Sequence, residues 1–281
     1  MGRFQNSMVL AKASWRVLQE NRKLAVLPLL SGITTMLVAI SFLVPIVILG
    51  QGGSSNSEYT FGPVQWILTA ALYLVSAYVV IFFNAALVYA ADAHLHGVTV
   101  SVSDAIKFAA SKTSVLLPWA IVSATVSMII RTIEERAGIF GTIIGAIAGV
   151  AWSLVTFLVL PVLVVEGLGP IKAVKRSGEL FKRAWGEQVM ANFGIGLITF
   201  GAIIVGLIPA GLLMLLGTFG IIAGVALFVL WVCAVMVISQ SVQGILSMAL
   251  YRYATDGQVQ GFETSQLQGA FQPRRRRGFL G

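Results

Sequence analysis

One cysteine stands in the whole sequence, Cys233, and it lies inside an apolar run. An intrachain disulfide is excluded, and so is a zinc centre built on thiolates. A lone Cys in such surroundings behaves as a small hydrophobe. Histidine is nearly as scarce, with two residues. The larger absence is charge. Asp, Glu, Lys and Arg make up 11% of the chain, whereas a soluble domain carries roughly 25%. A surface so poor in charge faces something other than water, and lipid is the candidate. Catalytic signatures are missing too: there is no Ser-His-Asp set, phosphate loop, H-E-x-x-H or nucleotide fingerprint. No cofactor is called for, and an enzyme has the least support of the classes weighed.

What is present is apolar. Of 281 residues 57% are hydrophobic, and the mean hydropathy is +0.89. Six runs stand out: Leu24–Leu49, Trp66–Ala91, Val115–Ile130, Ile139–Val165, Val189–Leu216 and Ile221–Leu250. All but Val115–Ile130 exceed the roughly 20 residues that cross a hydrocarbon core; that run borrows the stem of Arg131 by snorkelling. Every charged residue falls between or beside the runs, as expected when a charge at mid-membrane costs about 2.5–3.5 kcal/mol. The first run is too long for a signal-peptide core and is read as a retained span. The predicted fold is therefore all-α, a polytopic transmembrane bundle of six spans over residues 1–250. A basic tail, 251–281, follows it and is expected to be disordered.

The loops carry an orientation signal. Seventeen Lys and Arg lie in the N-terminal segment, the second and fourth connections and the tail, against Arg131 and Arg136 alone on the other side. By the positive-inside rule both termini are cytoplasmic. The net charge of +8 suits anionic headgroups of the inner leaflet.

The segments on the basic side are amphipathic. Residues 170–185 set Ile171, Val174, Phe181 and Trp185 on one stripe and surround it with Lys172, Lys175, Arg176, Glu179, Lys182 and Arg183. Pro170 stands where a first helical residue belongs, and the pattern suits a membrane interface. Near the N-terminus Met8, Ala11, Trp15 and Leu18 form a similar stripe beside Lys12, Arg16 and Arg22. Ser103–Thr113 gives a weaker version, with Asp104 near its start and Lys112 near its end. An amphipathic helix followed by a transmembrane hairpin thus recurs three times, from Ser7, Ser103 and Pro170.

Several constellations invite a functional reading, and each has a plainer one. Asp92, His94 and His96 spell D-A-H-L-H; two ligands on one helical face begin a metal site, but a site needs three or four, and a polar helix end at the headgroup level is the favoured reading. Arg131, Glu134, Glu135 and Arg136 offer neighbouring carboxylates for acid–base work or a helix-end ion pair. Gly141, Gly145 and Gly149, with Gly220 and Gly224, form small-residue ridges for close helix packing, within the chain or between chains. Asn84, Asn192, Gln240 and Gln243 lie in the cytoplasmic halves of three spans. They form either a hydrophilic pocket or interhelical hydrogen bonds. Pro28, Pro45, Pro118, Pro161 and Pro209 are places where a span can break. Arg274, Arg275, Arg276 and Arg277 favour anionic lipid over nucleic acid, since no aromatic platform accompanies them.

The run Ala13 to Leu18 (ASWRVL), then Leu27 to Gly32 (LPLLSG), resembles the opening of a family of uncharacterised bacterial membrane proteins. The segment Ala173 to Gln188 (AVKRSGELFKRAWGEQ) resembles its second landmark. The resemblance implies a six-span protein of the bacterial plasma membrane, and no activity or catalytic residue. A looser likeness in layout joins it to other bacterial six-span domains, including the membrane domain beside some glycerophosphodiesterases, whose chemistry belongs to a soluble domain not found in this sequence. The expectation is a non-enzymatic protein that binds lipid or a membrane partner, including a second copy of itself, through its basic amphipathic helices. The alternative is a small transporter or permease with an uncharged polar pocket on the cytoplasmic side.

Overall fold

A computed structural model describes residues 3–50, 62–136, 138–183 and 185–256, with the side chains of 3–11, 50, 136, 138, 139, 181–183 and 185–194 left aside. Arg274 to Arg277 and the tail beyond Asp256 lie outside the described residues, as do the side chains of Lys182, Arg183 and Asn192.

The described chain is helical. Its elements are α1 (Arg3–Glu20), a 3-10 turn (Arg22–Ala25), α2 (Val26–Gly50), α3 (Pro63–Leu95), α4 (Val102–Ser111), α5 (Thr113–Arg136), α6 (Gly138–Thr156), α7 (Val159–Val165), α8 (Pro170–Arg183), α9 (Trp185–Met214) and α10 (Thr218–Asp256). Six segments are long and apolar enough to span a bilayer: the turn with α2, then α3, α5, α6 with α7, α9 and α10. The chain is an all-α, multi-pass membrane protein. Antiparallel hairpins α2/α3, α5/α6 and α9/α10 carry much of the packing, and each follows a short helix, α1, α4 or α8, in the threefold pattern the sequence suggests. All three short helices stand at one end of the bundle, the basic end.

Local chemistry sets the boundaries. Pro63 follows Gly62 at the first turn of α3, where its missing N–H costs nothing. Ser101 caps α4 by accepting the Asp104 N–H at 3.1 Å. Gly217 (φ 85°) turns α9 into α10, a left-handed conformation that a side chain resists. At the opposite end Gln65 Nε2 donates to the Leu49 carbonyl at 2.9 Å, closing the α2/α3 hairpin.

Three boundaries differ from the sequence reading. The fourth span is not one helix: it stops at Thr156 and resumes at Val159. Pro161 explains the break, because its ring clashes with the carbonyl of Phe157 four residues earlier and it has no N–H to give. The Val155 carbonyl, whose partner would be the Val159 N–H, instead accepts the hydroxyl of fully buried Ser177 from α8 at 2.5 Å, a side-chain repair common where membrane helices break. Pro45, Pro118 and Pro209 stay inside continuous helices. Secondly, α5 runs 24 residues to Arg136, past the end of the apolar run at Ile130. Thirdly, α10 continues to Asp256, past the boundary at 250.

Of the stripe at residues 170–185, Val174 packs partly buried against the core, and the side chains of Phe181 and Trp185 lie outside the described residues. The face of α8 that packs on the bundle is Ala173, Ser177 and Leu180, whereas Ile171 is 80% exposed. Small Ala173 and Ser177 let α8 sit close beneath α6 and α7, so packing selects them over the larger apolar residues. The helix thus has two sides: one buried, and one outward that carries Lys172 and Lys175 with Ile171 beside Lys175.

The core is one-sided. The largest fully buried side chains include Leu27, Leu116, Leu158, Leu163, Leu246 and Leu250, all near the basic end. Towards the opposite end Phe140, Leu215 and Phe219 are 79–89% exposed, as lipid-facing side chains would be. Among the described residues none of the largest fully buried side chains lies there.

Candidate functional site

Two grooves flank the α9/α10 hairpin. The first, about 510 Å³, lies between α1, α9 and α10. Its wall is apolar along Ile195, Ile198, Trp231, Ile238 and Val242, and Lys12 with Trp15 stands at its basic end. Trp231 is fixed by its Nε1–H, which donates to the Ala202 carbonyl at 2.8 Å, and its ring fills the space left by Gly206.

The second groove, about 530 Å³, lies between α3, the α6–α7 break, α9 and α10. It gathers Asn84, Gln240, Gln243 and Ser247 beside Phe157, Leu160 and Phe200. Gln240, Gln243 and Ser247 share one face of α10 by their spacing of three and four. Gly244 brings that helix against α3, since a Cβ there would stand 2.5 Å from Leu87 Cδ2. Thr199 and Ser239 line both grooves and join α9 to α10 through a 2.9 Å hydroxyl bond. Gln243 Nε2 donates to Ser239 at 3.3 Å. Among the described residues Asn84 and Gln240 make no side-chain hydrogen bond.

Below the second groove the helices are pinned by ions. Arg252 Nε and Nη2 donate to the two carboxylate oxygens of Asp92 at 2.7 and 2.8 Å, a bidentate pair between α10 and α3. Arg252 also reaches Asp256 at 3.2 Å. Glu166, just after α7, accepts the Tyr251 hydroxyl at 2.9 Å and Arg176 Nε at 3.2 Å, joining α10 and α8. His94 Nε2 stands 3.7 Å from Glu20 of α1, and His96 Nδ1 lies 2.8 Å from the Asp92 carbonyl. The carboxylate of D-A-H-L-H thus serves Arg252. No group of three or more metal-ligating side chains is found among the described residues.

The glycine ridges lie inside hairpins. Gly145 packs under the Glu134 side chain of α5, and Gly149 stands 3.9 Å from Ile130, both measured from an added Cβ. On α10, Gly220 meets the Leu213 carbonyl, and a Cβ on Gly224 would be 2.6 Å from that of Ala210. Arg131 Nε donates to Glu135 at 2.9 Å, an exposed i,i+4 pair, and Glu134 faces a cavity of about 620 Å³ with Trp152. Lys172 and Lys175 are exposed on α8. Sequence reading missed Glu166, Tyr251 and Trp231. An acid immediately after an apolar run is a usable signal for Glu166; its partners, distant in sequence, left none.

A helical membrane protein with one ion-pinned end and two membrane-level grooves is the class these features define. The family match adds no activity to that outline. Residues 64–262 match the model of a family of unknown function (DUF6159), and the chain belongs to that family. The match takes in the landmark at 173–188 and leaves out the one at 13–32. No curated protein and no solved structure matches the chain.

Proposed function

We propose that this is a non-enzymatic lipid-binding protein of a bacterial plasma membrane, with both termini in the cytoplasm, that holds an anionic phospholipid in the first groove. One observation carries the reading: a long apolar groove open at the membrane face ends at a cation, Lys12, and an interfacial aromatic, Trp15. An acyl chain fits the wall and a phosphate fits the ammonium. Trp at such a boundary matches the headgroup level. Arg16, one turn along α1, adds exposed positive charge, and the outward face of α8 supplies Lys172 and Lys175. The charge asymmetry of the loops supports the orientation.

The test is native mass spectrometry of the full chain, purified in mild detergent and offered dioleoyl phosphatidylglycerol or phosphatidylcholine. The anionic lipid is retained to higher collision energy by the wild type, and Lys12→Glu abolishes the preference. Equal retention of both lipids by the wild type would refute the proposal.

A second reading, a small transporter or permease, is favoured by the interruption of the fourth span beside the polar second groove, since broken helices line transport paths. Proteoliposome swelling in glycerol measures it: a rate above that of empty liposomes supports it, and an equal rate removes it.

A further inference from the structure

We infer that the second groove is a binding site for an uncharged glyceride, a lipid whose headgroup is a free hydroxyl, such as diacylglycerol. The inference goes beyond the anionic site and does not rest on it.

Depth comes first. Asn84 lies eight residues before Asp92 on α3, about 12 Å inward from the ion-pair layer at 1.5 Å per residue. The carboxamides of Asn84 and Gln240 therefore stand where lipid, not bulk water, is the neighbour. Neither has a protein partner among the described residues, and a polar group unsatisfied in hydrocarbon is costly. An occupant that forms hydrogen bonds relieves that cost.

Charge comes second. The described residues lining the groove carry none, in contrast to Lys12 in the first groove. A phosphate would find no counter-ion there. Carboxamides donate and accept together: their N–H groups suit ester carbonyls and their oxygens suit a hydroxyl.

The gradient along the groove comes third. Gln243 and Ser247 line the part nearer the basic end, and Phe200, Ile203 and Met236 line the part deeper in the span. A water-soluble polyol would want polar groups throughout. An amphiphile wants this order, with hydroxyl and esters among the amides and acyl chains along Phe200 and Met236.

The experiment uses full-length protein in nanodiscs with a diazirine-bearing diacylglycerol as photoprobe, mapped by mass spectrometry. Labels are expected on peptides carrying Phe200 or Met236. Dioctanoylglycerol should displace the probe about tenfold better than trioctanoylglycerol, which lacks the hydroxyl. The Asn84→Ala/Gln240→Leu variant should lose labelling about tenfold, whereas Lys12→Glu, in the other groove, should keep it. Equal displacement by the two competitors overturns the inference, and so does full labelling of a folded double variant: the amides would then be satisfied by water alone. If the double variant does not fold, the competition on the wild type decides.

Discussion

Replacing Arg252 by Ala tests whether the basic end is held by its ions. The guanidinium makes two charge-assisted bonds to Asp92, at 2.7 and 2.8 Å, and the two side chains are 20% and 17% exposed. Removing one partner of a fully buried pair costs about 3–5 kcal/mol, because the other charge is stranded. A hydrogen bond to a charged group contributes about 1.5–3 kcal/mol. The residual exposure lets water reach a stranded carboxylate, which pulls the expectation to about 2–3 kcal/mol for Arg252→Ala, and about the same for Asp92→Ala. The double variant should cost less than the sum, with a coupling of about 1.5 kcal/mol. Asp256→Ala is the control: its carboxylate is 48% exposed at 3.2 Å, and its loss should cost about 0.5 kcal/mol or less. Unfolding of the detergent-solubilised chain in increasing SDS, followed by circular dichroism, measures all four. A coupling near zero would refute the reasoning, since the pair would then be decoration on a bundle held by its apolar core.

Two further outcomes can be measured, one resting on glycine packing and one on the charge of the loops. Gly224→Ala should destabilise by about 1–3 kcal/mol, because its Cβ meets the Ala210 carbonyl at 2.6 Å, a backbone atom that cannot swing aside. Gly145→Ala meets only the Glu134 side chain and should cost less; thermal unfolding in detergent ranks them, and a reversed order would count against the α9/α10 contact. For orientation, cysteines at Ser55 and Ser265 should label from opposite faces of the membrane, in a background with Cys233 replaced by Ala. Modification of Ser265→Cys by an impermeant reagent on intact cells would overturn the cytoplasmic assignment.

The parts of this fold legible in sequence are those that depend on neighbours along the chain. Six spans follow from local hydropathy, and the three repeats follow from amphipathic stretches that precede each hairpin. Asn84, Gln240 and Gln243 were readable as one set because polar residues are rare in these runs, and the structure brings them into one cavity. What depends on three dimensions was not readable. Five prolines were equal candidates for a break, and only Pro161 has a buried hydroxyl, Ser177, in place to repair the carbonyl that a break sets free. The buried face of α8 was not readable, because close approach selects small Ala173 and Ser177 and nothing along the chain marks where α8 meets α6 and α7. Asp92 with Arg252, and Glu166 with Tyr251, are joined across 160 and 85 residues, beyond any periodicity.

The one-sided core has a mechanical consequence. A bundle tied at one end, where its large buried side chains gather, resists deformation unequally across its height. When the surrounding bilayer thins or thickens, each hairpin can tilt about its anchored end at little cost, because among the described residues no layer of large, fully buried side chains has to be remade at the other. Hydrophobic mismatch, which costs fractions of a kcal/mol per Å, is then absorbed in the leaflet at that opposite end. The leaflet at the pinned end keeps its geometry, and with it the spacing of the lysines and amides on which the two proposed sites depend.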